Sequence, residues 1–164
     1  MRKVCKIVAQ SAVLLIVSCQ QIEETQFTKD LIRLDDALTR AQEYVNVKEQ
    51  KISTMENMLH SRGVNAVQQY HIYGNLFNEC EAFQFDKAKE MLENQEEIAE
   101  CIGNLSLKND ALLDKAMLFI NAGLYLETHQ VFGLLDTTSF NAEQMVAWYN
   151  ARQKFLSDYD EYVS

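Results

Sequence analysis

Apolar residues recur at three- and four-residue spacing along almost the whole chain and never settle into sustained alternation, so the pattern predicts helices and no strands. The longest regular stretch runs from Lys29 to His60. There Leu31, Leu38, Val45, Ile52 and Leu59 return every seven residues, with Leu34, Ala41, Lys48 and Met55 between them. This is a heptad seam with Lys48 as its one polar interruption. It fits either a coiled coil that pairs two copies of the chain or a helix whose apolar stripe packs on the helices that follow it. Gly63 is placed to end it.

Beyond Gly63 the periodic segments shorten. Residues 64–82 carry Val67, Tyr70, Tyr73, Leu76 and Phe77 at helical spacing. A second helix buries Ala88, Met91, Leu92 and Ile98, with Asp86 expected as its cap and Gly103 near its end. "SLKND" (residues 106–110) is expected to be a turn. Residues 111–136 predict two helices meeting near Gly123, and "TTSFNAEQM" a break with Ser139 or Asn141 as caps. The last helix carries Met145, Trp148, Phe155, Tyr159 and Tyr162.

With no proline and five glycines in 164 residues, little in the composition interrupts these helices. The fold class is therefore all-α. Small and large residues also alternate in a way that suits paired helices. The run Leu112-x3-Ala116-x2-Phe119-x3-Gly123-x-Tyr125-x2-Thr128-x3-Phe132 closely resembles the tetratricopeptide pattern, and Phe85, Ala88 and Leu92 form a weaker version. Ala88 and Thr128 take the same position in units spaced further apart than usual. The architecture expected is a long N-terminal helix followed by antiparallel hairpins of tetratricopeptide type, a short right-handed α-solenoid. Trp148 and Phe155 belong to a capping helix.

"LDDALTRAQEYVNVKEQKI", "LFNECEAFQFDKAKEMLENQEEIA" and "KAMLFINAGLYLETHQVFGLLD" resemble the amino-terminal region of a Bacteroidetes family of unknown function, in which a long helix leads into degenerate tetratricopeptide repeats. Longer members continue into a transmembrane helix, a coiled coil and a DNA-binding region. That resemblance implies a sensor-regulator role. This chain departs from the pattern by stopping at Ser164 and by how it begins.

Arg2, Lys3 and Lys6 precede an apolar run from Ile7 to Val17. Eleven helical residues rise about 16 Å, roughly half a bilayer core, so the layout predicts a secretory signal at 1–18. Ile16-Val17-Ser18-Cys19 resembles the bacterial lipobox. That resemblance implies a diacylglyceryl thioether on Cys19, cleavage before it, and anchoring by two acyl chains. Residues 19–28 would be a polar tether, 29–62 the long helix, and 64–164 the repeats. Glu23 and Glu24 resemble the acidic stretch that carries some Bacteroidetes lipoproteins to the surface. The expected location is the bacterial envelope, on its periplasmic or cell-surface side.

The formal charge is −9, and the basic start accounts for none of the acid. Residues 19–164 alone carry −12, a field that disfavours nucleic acid as a partner. His60, His71 and His129 lack metal-helix spacing, and Asp35-Asp36 and Glu96-Glu97 read as solvated charge. No catalytic residue, metal or cofactor is expected. Cys80 and Cys101 would lie about 22 Å apart along a hairpin, beyond the roughly 7 Å of a disulfide, and are expected as two buried thiols.

A solenoid of paired helices lines its concave side with first-helix residues. By that register Tyr70, Tyr73 and Phe77 from the first unit, and Asp110, Leu113, Asp114, Met117 and Asn121 from the second, would face a groove. Aromatic rings beside acids suit a protein or peptide segment carrying a basic residue. The alternative is that Tyr73 and Phe77 pack against the long helix. Three functions are thus expected: a lipid-anchored, non-enzymatic scaffold for a protein or peptide, a sensory fragment of a membrane-bound transcriptional regulator, or a coiled-coil homodimeric structural lipoprotein.

Overall fold

The computed structural model describes the backbone of residues 2–163 and the side chains of residues 26–162. The helices are α1 (Arg2–Leu59), α2 (Ala66–Cys80), α3 (Phe85–Cys101), α4 (Leu105–Asn121), α5 (Tyr125–Leu134) and α6 (Ala142–Val163), with a 3-10 turn at Thr137–Ser139. No strand occurs among the described residues. The chain divides into two units, residues 1–49 and 50–164.

In the first unit α1 runs unbroken through the boundaries expected at 18/19 and 28/29. The expected signal segment and Cys19 lie outside the residues whose side chains are described. From 26 to 47 every residue is exposed. Among the described residues no helix is long and apolar enough to cross a membrane.

The second unit opens with the last turns of α1. Ile52 is buried, and Met55 and Leu59 pack beside it against Leu76, Phe77 and Cys80 of α2 and Ala88, Met91 and Leu92 of α3. Ion pairs flank this contact: Lys87 meets Glu56 at 2.6 Å, and Lys51 meets Glu79. A second core joins α4 to α5 through Leu112, Ala116, Phe119 and Val131. A third, built from Tyr70, Ala99 and Ala111, ties α2, α3 and α4 together.

The links between helices are short because their ends are closed by specific residues. Gly103 and Gly123 take φ of 66° and 72°, a region open to glycine at little cost. Each lets the next amide reach back to the preceding helix: Asn104 N–H donates to Ala99 O and Leu124 N–H to Phe119 O, both at 2.9 Å, the Schellman closure. Asn65 and Asn141 start α2 and α6 with reciprocal capping boxes to Gln68 and Gln144.

Four expectations are corrected. Residues 106–110 are helical, because Asn104 accepts from Leu107 N–H at 3.1 Å and starts α4 one residue after Gly103. Asp86 does not cap α3; it sits in the first turn, with Gln84 at the cap position, where its charge still favours the helix N-terminus. Cys80 is buried but Cys101 is exposed, since the last turn of α3 faces solvent. Glu96 is paired, accepting from Lys115 at 2.7 Å. No disulfide joins Cys80 to Cys101.

From α2 to α5 each helix packs chiefly on its neighbours in sequence, whereas α6 packs chiefly on α4. This is the order of an open helical array. In a closed bundle the first and last helices would meet. The helices α2, α4 and α6 are the first helices of successive units, and α3 and α5 the second.

Candidate functional site

Where α4 and α6 lie side by side, they enclose a concavity of about 220 Å³ lined by Asp110, Leu113, Asp114, Glu143, Gln144 and Ala147. Helical spacing explains its α4 wall, since residues 110, 113 and 114 fall on one face. The capping box at Asn141 explains the other, because it fixes Gln144 in the first turn of α6. From there the buried Gln144 Nε2 donates to Asp110 Oδ1 at 2.7 Å, Ser106 O at 2.9 Å and Ser106 Oγ at 3.1 Å. The amide thus holds the Asp110 carboxylate and couples α6 to α4.

Asp114 is different. Among the described residues no hydrogen-bond donor or cation meets its carboxylate. Burial, then the charges of Asp110 and Glu81, push its pKa up to about 6. The residue as a whole remains exposed, so water screens part of this repulsion. The base nearest in sequence, Lys115, faces away and is engaged by Glu96 and Glu93 on α3. The site is therefore a small acidic recess with an apolar floor of Leu113 and Ala147.

Tyr70 borders the acids from α2. Its hydroxyl donates to Leu107 O at 2.7 Å. Burial first, then Asp110 and Asp114, push the phenol well above its ordinary pKa, so it stays protonated and able to donate. Of the other expected groove residues, Tyr73 is half-buried against the first core and Phe77 is buried in it with Ile52. Leu113 is buried, Met117 half-buried and Asn121 exposed at the end of α4. Asp110, Leu113 and Asp114 are thus brought together, with Tyr70 beside them, while Phe77 is taken up by packing.

Sequence reasoning did not find Glu143, Gln144 and Ala147. The signal was Asn141-x-x-Gln144, which fixes where α6 begins and hence which of its residues meet α4. Among the described residues no group of three or more His, Cys, Asp or Glu could hold a metal ion.

A larger concavity of about 440 Å³ lies between α5 and α6, lined by His129, Phe132, Gly133, Trp148, Arg152, Phe155 and Leu156. Its walls are aromatic: Phe132 meets Trp148 edge-on at 4.7 Å between centroids and Phe155 at 5.5 Å. Arg152 lies over Trp148. This cleft is size without convergent polar chemistry, so the acidic recess is the candidate site.

No curated protein and no solved structure matches the chain. A family model does. The model described as SusR N-terminal TPR domain matches residues 38–164, which covers the last 22 of the 58 residues of α1 and all of α2 to α6. Its helical-repeat character agrees with the array of hairpins. The chain belongs to the SusR N-terminal TPR domain family.

Proposed function

We propose that this chain is a non-enzymatic scaffold of the bacterial envelope, anchored through an acylated Cys19, that holds a protein or peptide segment by a basic side chain. A tetratricopeptide domain is a protein-interaction scaffold. The observation that carries the finer reading is Asp114, a carboxylate beside Asp110, Glu143 and Glu81 that no cation meets among the described residues. A lysine or arginine entering the recess would lay its aliphatic stem on Leu113 and Ala147 and bring its charge to Asp114. Arginine suits this best, because its planar fork can engage two carboxylates at once. The Gln144 amide keeps Asp110 aimed before the ligand arrives, which lowers the ordering cost of binding.

Selection from a random-peptide phage library, followed by calorimetry on the selected peptides, tests the recess. Arginine- or lysine-bearing peptides are expected, with affinity falling at least tenfold in Asp114→Asn. Selected peptides without basic residues, or equal binding by the variant, would overturn it. The anchor is tested separately by palmitate labelling, which Cys19→Ala should abolish.

A second reading, the sensory domain of a membrane-bound transcriptional regulator, draws support from the matched family being defined as an N-terminal domain. Both readings use the same recess. They part on whether reading frame past Ser164 encodes an apolar stretch of about 20 residues.

A further inference from the structure

We infer that residues 27–48 of α1 join two copies of this chain in a two-stranded coiled coil. The seam consists of Phe27, Leu31, Leu34, Leu38, Ala41 and Val45, and its five large members are between 41% and 65% exposed. A helix stripe of this kind draws its stability from burial against something. The last turns of the same seam show this directly, since Ile52 is 4% exposed and Met55 and Leu59 pack with it. One continuous pattern is thus covered at one end and bare over the preceding three heptads.

The period identifies what covers the rest. A straight helix drifts about 20° per heptad relative to a seven-residue repeat. The bare part of the repeat, from Leu31 to Val45, therefore stays in line along a supercoiled partner helix with the same repeat. Leu126, Leu134 and Leu156 of α5 and α6 are also exposed, but their spacing carries no seven-residue repeat. In α6, Trp148 and Phe155 lie against Phe132, and Tyr159 and Tyr162 against Tyr125. A second α1 supplies the missing repeat, and a two-fold pair uses the same surface on both copies.

Within residues 27–48 the positions flanking the seam carry Asp30 and Asp35 as their charges, so the approach of like copies depends on screening by salt. Asp30 is met within its own helix by Arg33 at 3.5 Å and by Gln26 Nε2 at 3.0 Å to both oxygens. Arg40 is turned along its own helix to Asp36 O at 3.2 Å. Lys48, at the end of the bare stretch, lies over Tyr44. A single polar residue in such a seam sets register and lowers affinity. This inference is independent of the acidic recess.

Sedimentation equilibrium on the full chain reads the result. The expected mass is twice the 18.9 kDa of one chain, returning to one chain mass in Leu31→Asn/Leu38→Asn with the Trp148 fluorescence melt retained. Lys48→Leu should tighten the pair about tenfold. A monomeric wild type, a dimer that survives the double substitution, or no tightening by Lys48→Leu would overturn the inference. If the double variant misfolds, the Lys48→Leu measurement decides alone.

Discussion

The Tyr70 hydroxyl donates to the Leu107 carbonyl at 2.7 Å across 37 residues of sequence. It links the first helix of one unit to the first helix of the next, where two acids crowd the phenol.

Removing that hydroxyl isolates its worth. Tyr70→Phe keeps the ring in the third core and is expected to cost about 1 kcal/mol. The value sits at the lower end for a buried bond, because the Leu107 carbonyl retains its place in the α4 ladder. Urea unfolding with an unchanged m-value would confirm it.

Asp114 gives a pH dependence of unusual sign. Its pKa is about 6 in the folded chain against an ordinary value of 3.8, so between those values the folded state binds more protons than the unfolded one. This group therefore adds stability as pH falls from about 6 towards 4 and opposes folding above 6. Asp114→Asn is expected to melt higher than wild type at pH 7, with the gap closing by pH 4. Binding of a basic peptide should weaken over the same interval as the carboxylate gains its proton.

Two helical glycines predict opposite outcomes. A methyl on Gly74 would sit 2.9 Å from Gln95 Nε2, which is buried and donates to Tyr70 O at 3.0 Å. Gln95 Oε1 already lacks a partner, so displacing Nε2 from Tyr70 O leaves a buried amide unsatisfied at both ends. Gly74→Ala should destabilise by about 1 kcal/mol, the lost bond outweighing the helix gain of alanine. A methyl on Gly133 meets nothing within 4 Å, and Gly133→Ala should stabilise by about 0.5 kcal/mol. Paired denaturation curves read both signs.

The start of α6 is a fourth test. Asn141→Ala removes the acceptor that meets Gln144 N–H at 2.9 Å and should cost about 1 kcal/mol. Because Gln144 also holds Asp110, the same variant is expected to weaken capture of a basic peptide. Asn65→Ala, which breaks the matching cap on α2, should cost similar stability without that loss of binding.

The helical hairpins were legible because their signals are local. Ala88 and Thr128, placed as the small residues of each pair, are both fully buried, and Gly103 and Gly123 end their helices as their spacing implies. What escaped notice depended on distant or finely placed contacts. The turn expected over residues 106–110 dissolves because Gly103 and Asn104 complete the reversal in two residues. Of the two places open to Phe77, the groove and the face of the long helix, it takes the second, because Ile52, 25 residues earlier, shares its core. Glu143 and Gln144 join Asp110 only through the packing of α6 on α4, which no window along the chain can reveal.

The seating of Ile52, Met55 and Leu59 on α2 and α3 also gives the array a direction. One end is stoppered by a helix that is not a repeat, while at the other Leu126, Leu134 and Leu156 stay open to solvent. For a protein engineer this is a one-way ratchet. Designed repeats could be grafted behind α6, where an apolar shelf is ready to receive them, and every graft ahead of α2 would have to evict a plug first.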